Sequence, residues 1–206
     1  MSKENSLLAS GVEFSVYHLK NPNKVAKFAH FAPLYDPETP LGRLFYERTV
    51  HDYNLISNYL GQDYLGTTRV RKYLNRWWIE QDYLDGAGCV SYDHPMNSEI
   101  RPLLQNLALK AQTMRQETGY ALDWHGFGGW PDIPKILVDQ NYWKFRSLHI
   151  AENETGPKIQ IVDTGLLWTG EKGKPNQMIF PHETIAWWGN LILLRFAEQK
   201  TGIKFT

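Results

Sequence analysis

The alternation of apolar and polar residues in the first part of the chain predicts mainly β-structure. Residues 7–28 read as a β-hairpin around an Asn-Pro-Asn turn, and two further strands are predicted at residues 67–73 and 76–83. Between these strand pairs, apolar residues recur at helical spacing in residues 41–61. The pattern therefore predicts a small β-rich region that contains one helix.

The remaining part of the chain reads as a mixture of helices and short strands. Amphipathic spacing predicts a helix over residues 103–115 that ends near Gly119, and residues 182–199 predict a third, largely apolar and therefore buried helix. Short apolar runs predict strands at residues 136–138 and 159–162. Together with the first part, this order describes an α+β chain.

Composition and charge limit the partners of the protein. The 206 residues suffice for one large domain or two lobes, and 22 basic residues balance 22 acidic residues. Because the charges cancel, no overall basic field attracts nucleic acid, and none is expected as a partner, although local patches remain possible. A single cysteine, Cys89, excludes an internal disulfide and a multi-cysteine zinc site.

Hydropathy predicts a soluble, cytoplasmic protein with no membrane partner. The first residues lack the apolar stretch of a signal peptide. The most apolar later segment, residues 185–196, is too short and too interrupted to span a bilayer.

Two aspartates suggest a common site, because each follows an apolar segment and stands next to a loop. Asp123 is followed by Trp124, His125 and Gly126, and Gly165 lies two residues after Asp163. Hard cations prefer carboxylate oxygens, and glycine lets the backbone approach a ligand closely. The pattern predicts a site for a divalent metal ion and phosphate.

The element order, together with several short motifs, resembles the protein-kinase-like superfamily, in particular a minimal member similar to aminoglycoside phosphotransferases and small eukaryotic-like kinases. The resemblance covers roughly residues 7–196 and implies a bilobal fold. Residues 1–84 would form a β-rich N-lobe with one helix, and residues 85–206 a short, mainly helical C-lobe.

In the N-lobe, the resemblance implies a set of nucleotide-binding residues. Val25-Ala26-Lys27 is similar to the strand whose lysine neutralises nucleotide phosphates, and Gly11 lies in the hairpin that would cover them. Phe14 stands where a glycine is common. Glu47 would position the ammonium of Lys27, with Asp52 as the rival on the same helix.

Residues 78–86, which include Asp82 and Leu84, resemble the segment that connects the two lobes in the family. The resemblance implies that this segment binds adenine mainly through its backbone.

In the C-lobe, Asp123 matches the aspartate that accepts or orients the proton of an attacking hydroxyl, and His125 matches a histidine found two residues beyond it. Asp163-Thr164-Gly165 resembles the element whose carboxylate binds Mg²⁺. The family's second metal ligand, an asparagine, is missing, and Lys135 precedes the next apolar run. Either Asp132 or His125 substitutes for it, one metal ion suffices, or catalysis has been lost.

The resemblance implies an ATP- and Mg²⁺-dependent phosphotransferase acting on an unidentified hydroxyl acceptor, either a small molecule or a protein. A second hypothesis is a pseudokinase-like module that binds nucleotide or a partner without turnover. A third is a metal-dependent hydrolase that uses Asp123, His125 and Asp163 and has no use for Lys27.

Overall fold

The computed structural model describes residues 6–10, 14–21, 23–29, 36–74, 76–84, 88–91, 97–126, 133–139, 144–153, 156–170, 172 and 183–206. In these residues the chain forms ten strands and five helices, so the predicted α+β class is confirmed. Within the same residues, no helix has both the length and the apolar character that crossing a bilayer requires.

A five-stranded antiparallel sheet forms the first part of the molecule. The strands are β1 (Leu7–Ser10), β2 (Phe14–His18), β3 (Lys24–Ala29), β4 (Arg69–Tyr73) and β5 (Arg76–Asp82). Their order in the sheet is β1-β2-β3-β5-β4. The strands predicted at residues 67–73 and 76–83 and the strand character of residues 7–28 are confirmed, but residues 7–28 contain three strands instead of the two of the predicted hairpin.

The predicted helix of this part is confirmed as α1 (Pro40–Tyr59), and a single turn, α2 (Gln62–Leu65), follows it. The Thr39 side chain accepts a hydrogen bond from the backbone N–H of Gly42 at 3.0 Å, which satisfies one of the open donors at the start of α1. Gly61, with φ of 97°, adopts a conformation that other residues rarely take and directs the chain out of α1.

In its described residues, the second part contains three helices and two small sheets. The elements are β6 (Gly88–Ser91), α3 (Ile100–Thr118), β7 (Tyr120–Leu122), α4 (Ile133–Val138), β8 (Lys144–Asn153), β9 (Gly156–Ile161), β10 (Leu166–Trp168) and α5 (Glu183–Thr201). The sheets have strand orders β6-β8-β9 and β10-β7. The predicted helices at residues 103–115 and 182–199 and the strand at 159–162 are confirmed, with shifted ends.

The strand predicted at residues 136–138 is wrong, because these residues belong to helix α4. Three consecutive apolar residues fit a strand and a helix equally well, so their periodicity does not decide between them. Pro134 lies in the first turn of α4, where its missing N–H costs no helical hydrogen bond. The proline was therefore the better local signal.

The main hydrophobic core lies in the second part and extends into α1. Ile56 of α1 and Leu60, which follows the helix, are fully buried in the same cluster as Leu104 of α3 and Leu194 of α5. A separate, smaller cluster lies between the sheet and the first turns of α1, and it is formed by Ala29, Phe45, Trp77 and Ile79. Helix α1 thus connects both cores, and the division into lobes at residue 84 stays a prediction.

Candidate functional site

Lys27 lies on β3, on the side of the sheet that also carries Ile79, its neighbour on β5. Its ammonium group donates a hydrogen bond to the backbone carbonyl of Val162, the residue before Asp163. Burial lowers the pKa of Lys27, and the negative charge of Asp163 partly opposes that effect. The lysine of the first part therefore lies next to the aspartate of the second part.

Ser147 of β8 joins this segment to the Asp123 loop. Its carbonyl accepts a hydrogen bond from the N–H of Val162 at 2.8 Å, and its own N–H donates to the carbonyl of Trp124 at 3.3 Å. The Ser147 hydroxyl also donates to the carbonyl of Asp123. A continuous series of hydrogen bonds thus runs from Lys27 through Val162 and Ser147 to Asp123. The structure brings the three segments together.

Helix α5 holds the carboxylate of Asp123, which is 7% exposed. The side-chain amide of Asn190 donates to Asp123 Oδ1 at 2.9 Å, and Asn190 Oδ1 accepts from the N–H of His125 at 3.3 Å. Asn190 thus fixes both the acid and the backbone beyond it. The sequence analysis missed Asn190, although a polar residue inside an otherwise apolar helix was a usable signal.

His125 is fully buried, so its ring lies inside the fold. Its Nδ1 lies 2.9 Å from the carbonyl oxygen of Lys144. Because a carbonyl only accepts hydrogen bonds, Nδ1 carries the hydrogen in this arrangement. The ring also contacts Phe145 edge-on, with centroids 5.2 Å apart. These contacts fix the position of His125 at the base of the loop.

Asp163 is exposed, and its Oδ1 accepts a hydrogen bond from the N–H of Gly165 at 3.1 Å. An exposed carboxylate fits Mg²⁺, which is usually bound by one or two protein carboxylates together with waters and substrate phosphates. In the described part of the chain, no group of three or more His, Cys, Asp or Glu side chains could hold a metal ion. Asp132 and Gly11, two further predicted site residues, lie outside the described residues.

Glu47 lies on the exposed side of α1, where it lines a shallow surface pocket together with Glu38, Arg43 and Leu44. Although both residues are described, the structure records no ion pair between Glu47 and Lys27. The rival Asp52 is buried and accepts a hydrogen bond from Arg48. The structure therefore does not bring Glu47 to Lys27.

A buried group of three charged side chains holds the strand that follows Asp163. Arg48 lies 2.7 Å from Asp52 and 2.9 Å from Glu183. Asp52 Oδ2 accepts from the N–H of Leu166 at 3.1 Å, and Glu183 Oε2 accepts from the N–H of Trp168 at 3.1 Å. Arg48 donates to the carbonyl of Leu166 at 3.0 Å. The charges of α1 and α5 thus fix the backbone of β10.

Burial and charge compete in this group. Burial lowers the pKa of Arg48, but the neighbouring carboxylates of Asp52 and Glu183 outweigh it, so the pKa is raised. Burial also raises the pKa of Glu183, and the positive charge of Arg48 offsets only part of that rise. The group was missed in the sequence, where the only local signal was an Arg and an Asp four residues apart on α1.

The side chain of Asp82 forms contacts with other residues of the protein. Its carboxylate lies 2.6 Å from the ammonium of Lys24 and accepts a hydrogen bond from the N–H of Thr67 at 3.0 Å. Burial raises the pKa of Asp82, but the hydrogen bonds from Lys24 and Thr67 together lower it by more, so the pKa of Asp82 is lowered overall. Leu84 follows β5 and is partly buried. An adenine contact by this segment stays a prediction.

A histidine that contacts a cysteine also lies within the electrostatic reach of Lys27. Cys89 Sγ is 3.5 Å from His149 Nε2, on the neighbouring strands β6 and β8. Burial lowers the pKa of His149, and the positive charge of Lys27 lowers it further. Pairing between the two strands places this histidine beside Cys89. Lys135, by contrast, is exposed on α4.

Neither a protein-family model nor a curated protein sequence matches this chain. The superfamily resemblance therefore stays a prediction, and the positions of Lys27, Asp123 and Asp163 carry the functional proposal.

Proposed function

We propose that the protein is an ATP- and Mg²⁺-dependent phosphotransferase with a bilobal, protein-kinase-like fold. One observation carries the proposal: Lys27 of the five-stranded sheet is linked through Val162 and Ser147 to Asp123, with Asp163 directly beside the link. Lys27, the backbone of Asp123 and the segment that carries Asp163 thus meet at one junction, although they come from distant parts of the sequence. This combination suits phosphoryl transfer, in which catalysis is mainly positioning and charge neutralisation.

The charged form of Lys27 would be stabilised by an anionic ligand. Burial disfavours its charged form, and Asp163 compensates only in part. Nucleotide phosphates placed beside Lys27 would favour the ammonium ion, since an opposite charge within a few ångströms raises the pKa of a lysine. The exposed carboxylate of Asp163 would hold Mg²⁺, which neutralises phosphate charge when it is bound.

Asp123 would accept or orient the proton of the acceptor hydroxyl. Its carboxylate is oriented by Asn190, and its backbone is held by Ser147. A carboxylate fixed in this way loses little entropy when a substrate binds, which is a requirement for efficient positioning. The acceptor is an unidentified hydroxyl compound.

The alternative is a nucleotide-binding module of the same fold that has little or no turnover. The position of Glu47 favours this alternative. Glu47 is exposed and, among the described residues, forms no ion pair with Lys27. Lys27 therefore lacks the glutamate partner that the resemblance implies. Both hypotheses require nucleotide binding at Lys27 and Asp163. They differ in whether Asp123 acts on a substrate.

Nucleotide binding is tested by thermal unfolding of the wild type, Lys27→Ala and Asp163→Asn with and without ATP and Mg²⁺. A ligand at about 100 times its Kd stabilises the native state by about 2.7 kcal/mol, which corresponds to roughly 5–10 °C in Tm for a chain of this size. We expect this increase in the wild type and its loss in both variants. Asp63→Asn and Lys204→Ala are matched controls, because both residues are exposed and lie elsewhere.

An unchanged Tm of the wild type with ATP and Mg²⁺ would contradict both the phosphotransferase and the module. If binding is observed, release of phosphate from ATP and transfer of labelled phosphate to candidate hydroxyl compounds distinguish them. Asp123→Asn should abolish turnover and retain the ATP-dependent rise in Tm. Binding without any turnover in the wild type would favour the module.

A further inference from the structure

The two faces of the five-stranded sheet differ in what they carry. Side chains alternate between the faces along each strand, so Lys27 and Phe28 point to opposite sides. Helix α1 packs on the Lys27 side, where its Phe45 contacts Trp77 with ring centroids 5.6 Å apart. The opposite side, called the outer face below, carries Phe28 and Trp78.

A row of aromatic rings crosses the outer face. Tyr17, Phe28 and Trp78 come from the neighbouring strands β2, β3 and β5, and all three are partly exposed. The ring centroids of Tyr17 and Phe28 are 5.9 Å apart, and those of Phe28 and Trp78 are 6.0 Å apart. Tyr73 on the edge strand β4 is 69% exposed and extends the aromatic surface. Aromatic rings spaced in this way offer several stacking positions in succession.

Basic side chains surround the aromatic row. On β4, Arg69 and Arg71 lie opposite Glu80 and Trp78, and Tyr73 lies opposite Arg76 on β5, which places these arginines on the outer face. Lys24 lies on the same face and pairs with Asp82, and Arg71 pairs with Glu80 at 3.4 Å. The four cations Lys24, Arg69, Arg71 and Arg76 exceed the two carboxylates Glu80 and Asp82 by two charges. A positive patch thus exists on a chain whose total formal charge is zero.

We propose that the outer face binds single-stranded nucleic acid. Bases would stack on Phe28 and Trp78, and the arginines of β4 would contact phosphates. Base stacking on aromatic side chains tolerates any sequence because every base has a π-face, and basic residues beside the rings follow the backbone. The surface lies on the opposite side of β3 from Lys27, so it is independent of the phosphotransferase proposal.

The mixture of rings and cations favours this partner over other anions. An acidic peptide would pair with the arginines, but it carries no regular series of flat groups that could stack on successive rings, as the bases of a single strand can. Insertion into a lipid surface requires several protruding apolar side chains, whereas of the four aromatic residues on this face only Tyr73, at 69% exposure, protrudes from the sheet. The zero net charge excludes only a uniform basic field and leaves this local patch unaffected.

The test is fluorescence anisotropy with labelled oligothymidylate and oligouridylate of about 12 nucleotides, a length within the usual site sizes of single-strand binding folds. We expect Kd values of about 10⁻⁴ to 10⁻⁶ M near physiological salt. Trp78→Leu should weaken binding roughly 10-fold through lost stacking. Arg69→Gln should weaken binding to all sequences and reduce the salt dependence by about 0.7 in the slope of log K against log salt.

Two variants on α5 serve as controls, because they make the same kinds of substitution on a different surface. Trp188 is 59% exposed and Arg195 is exposed, so Trp188→Leu and Arg195→Gln remove the same groups from another surface and should not change the affinity. Circular dichroism and Tm confirm that each variant is folded, and Arg69→Gln decides the outcome if Trp78→Leu does not fold.

Three results would overturn the proposal. The first is no change in anisotropy at about 10⁻⁴ M protein, the weak limit of non-specific binding. The second is unchanged affinity in both outer-face variants. The third is displacement of the oligonucleotide by polyglutamate at equal charge concentration, which would assign the patch to acidic proteins.

Discussion

The five-stranded sheet and the half that follows it bury their side chains in different ways. In the sheet, the buried cluster comprises Ala29, Phe45, Trp77 and Ile79, and the outer face carries partly exposed rings. In the second half, a large core extends from α1 through α3 to α5. A region with a small core relies more on its backbone ladder and less on apolar burial.

This difference separates the two sides of the candidate site. Asp123 and Asp163 follow strands of the well-packed half, where Ser147 and Asn190 hold the chain. Lys27 belongs to the sheet and reaches the other half through one hydrogen bond to Val162. The Asp123 carboxylate is thus held by Asn190 and the chain before Asp163 by Ser147, while the exposed Asp163 carboxylate accepts a local hydrogen bond from Gly165. We expect the sheet to open locally more often than the other half.

The largest effect is expected for Glu183→Ala, which removes one of the two carboxylates beside the buried guanidinium of Arg48. Breaking a buried ion group costs about 3–5 kcal/mol, because a charge is left poorly compensated. Chemical denaturation should therefore show a loss of about 4 kcal/mol in the free energy of unfolding. Glu47→Ala is the control, since Glu47 is exposed on α1 and its loss should cost less than about 0.5 kcal/mol. A loss below about 1 kcal/mol for Glu183→Ala would contradict the structural role of this group.

Matched truncations in the two cores test the comparison directly. Leu104 is fully buried in the large core, and Ile79 is 4% exposed in the small one. Both substitutions to alanine fall in the range of about 2–5 kcal/mol, and the cost rises with the cavity that remains. We expect about 3 kcal/mol for Leu104→Ala and about 2 kcal/mol for Ile79→Ala, because a small cluster at a sheet surface collapses more easily. Equal costs in denaturant titrations would remove the distinction between the two cores.

Gly119 tests how tightly the second half is packed. It ends α3 with φ of 77°, and a Cβ atom there would lie 2.7 Å from a ring carbon of Trp168. Gly119→Ala combines backbone strain with overpacking and should cost roughly 2 kcal/mol. Gly202 has a similar φ of 68°, but a Cβ atom there would lie 3.6 Å from a guanidinium nitrogen of Arg101. Gly202→Ala should therefore cost only the backbone strain, about 1 kcal/mol. Thermal unfolding that gave both variants the same loss would show that the contact with Trp168 yields easily.

The sequence predicts several long elements of this fold, but the ten-residue strand β8 and the short strands β6 and β10 were not predicted. Helix α1 and strands β4 and β5 follow from apolar spacing and turn residues, and the C-terminal helix follows from its apolar composition. Helix α4 was predicted as a strand because its apolar run is too short to have a period. The short strand β7 has no such pattern either, since all three of its residues are buried.

The candidate site could be predicted only in part. Lys27, Asp123 and Asp163 belong to motifs that are visible in the sequence. Ser147 and Asn190 have no motif, because their roles depend on which strand and helix pack beside the Asp123 loop. The same holds for Glu183, which meets Arg48 across 135 positions of the chain. Long-range partners of this kind are set by tertiary packing, which local patterns do not encode.

The last and smallest effect concerns Lys27, the residue that connects the two regions. Burial lowers its pKa, so the amine should lose its proton below the ordinary lysine value of 10.5. Acetylation of the amine at a series of pH values, followed by mass spectrometry, gives the midpoint for each lysine. Asp163→Asn should lower the midpoint of Lys27 further, because the carboxylate that favours the ammonium ion is removed.

Asp63→Asn removes a carboxylate from an exposed position on α2 and should leave the midpoint of Lys27 unchanged. A midpoint that stayed the same or rose in Asp163→Asn would mean that Lys27 and Asp163 do not interact in solution. Since Lys27 belongs to the weakly packed sheet and Asp163 to the well-packed half, that result would show that the two halves separate at the site. The hydrogen bond to Val162 would then be too weak to hold the lysine in place, and the phosphotransferase proposal would lose the contact on which it depends.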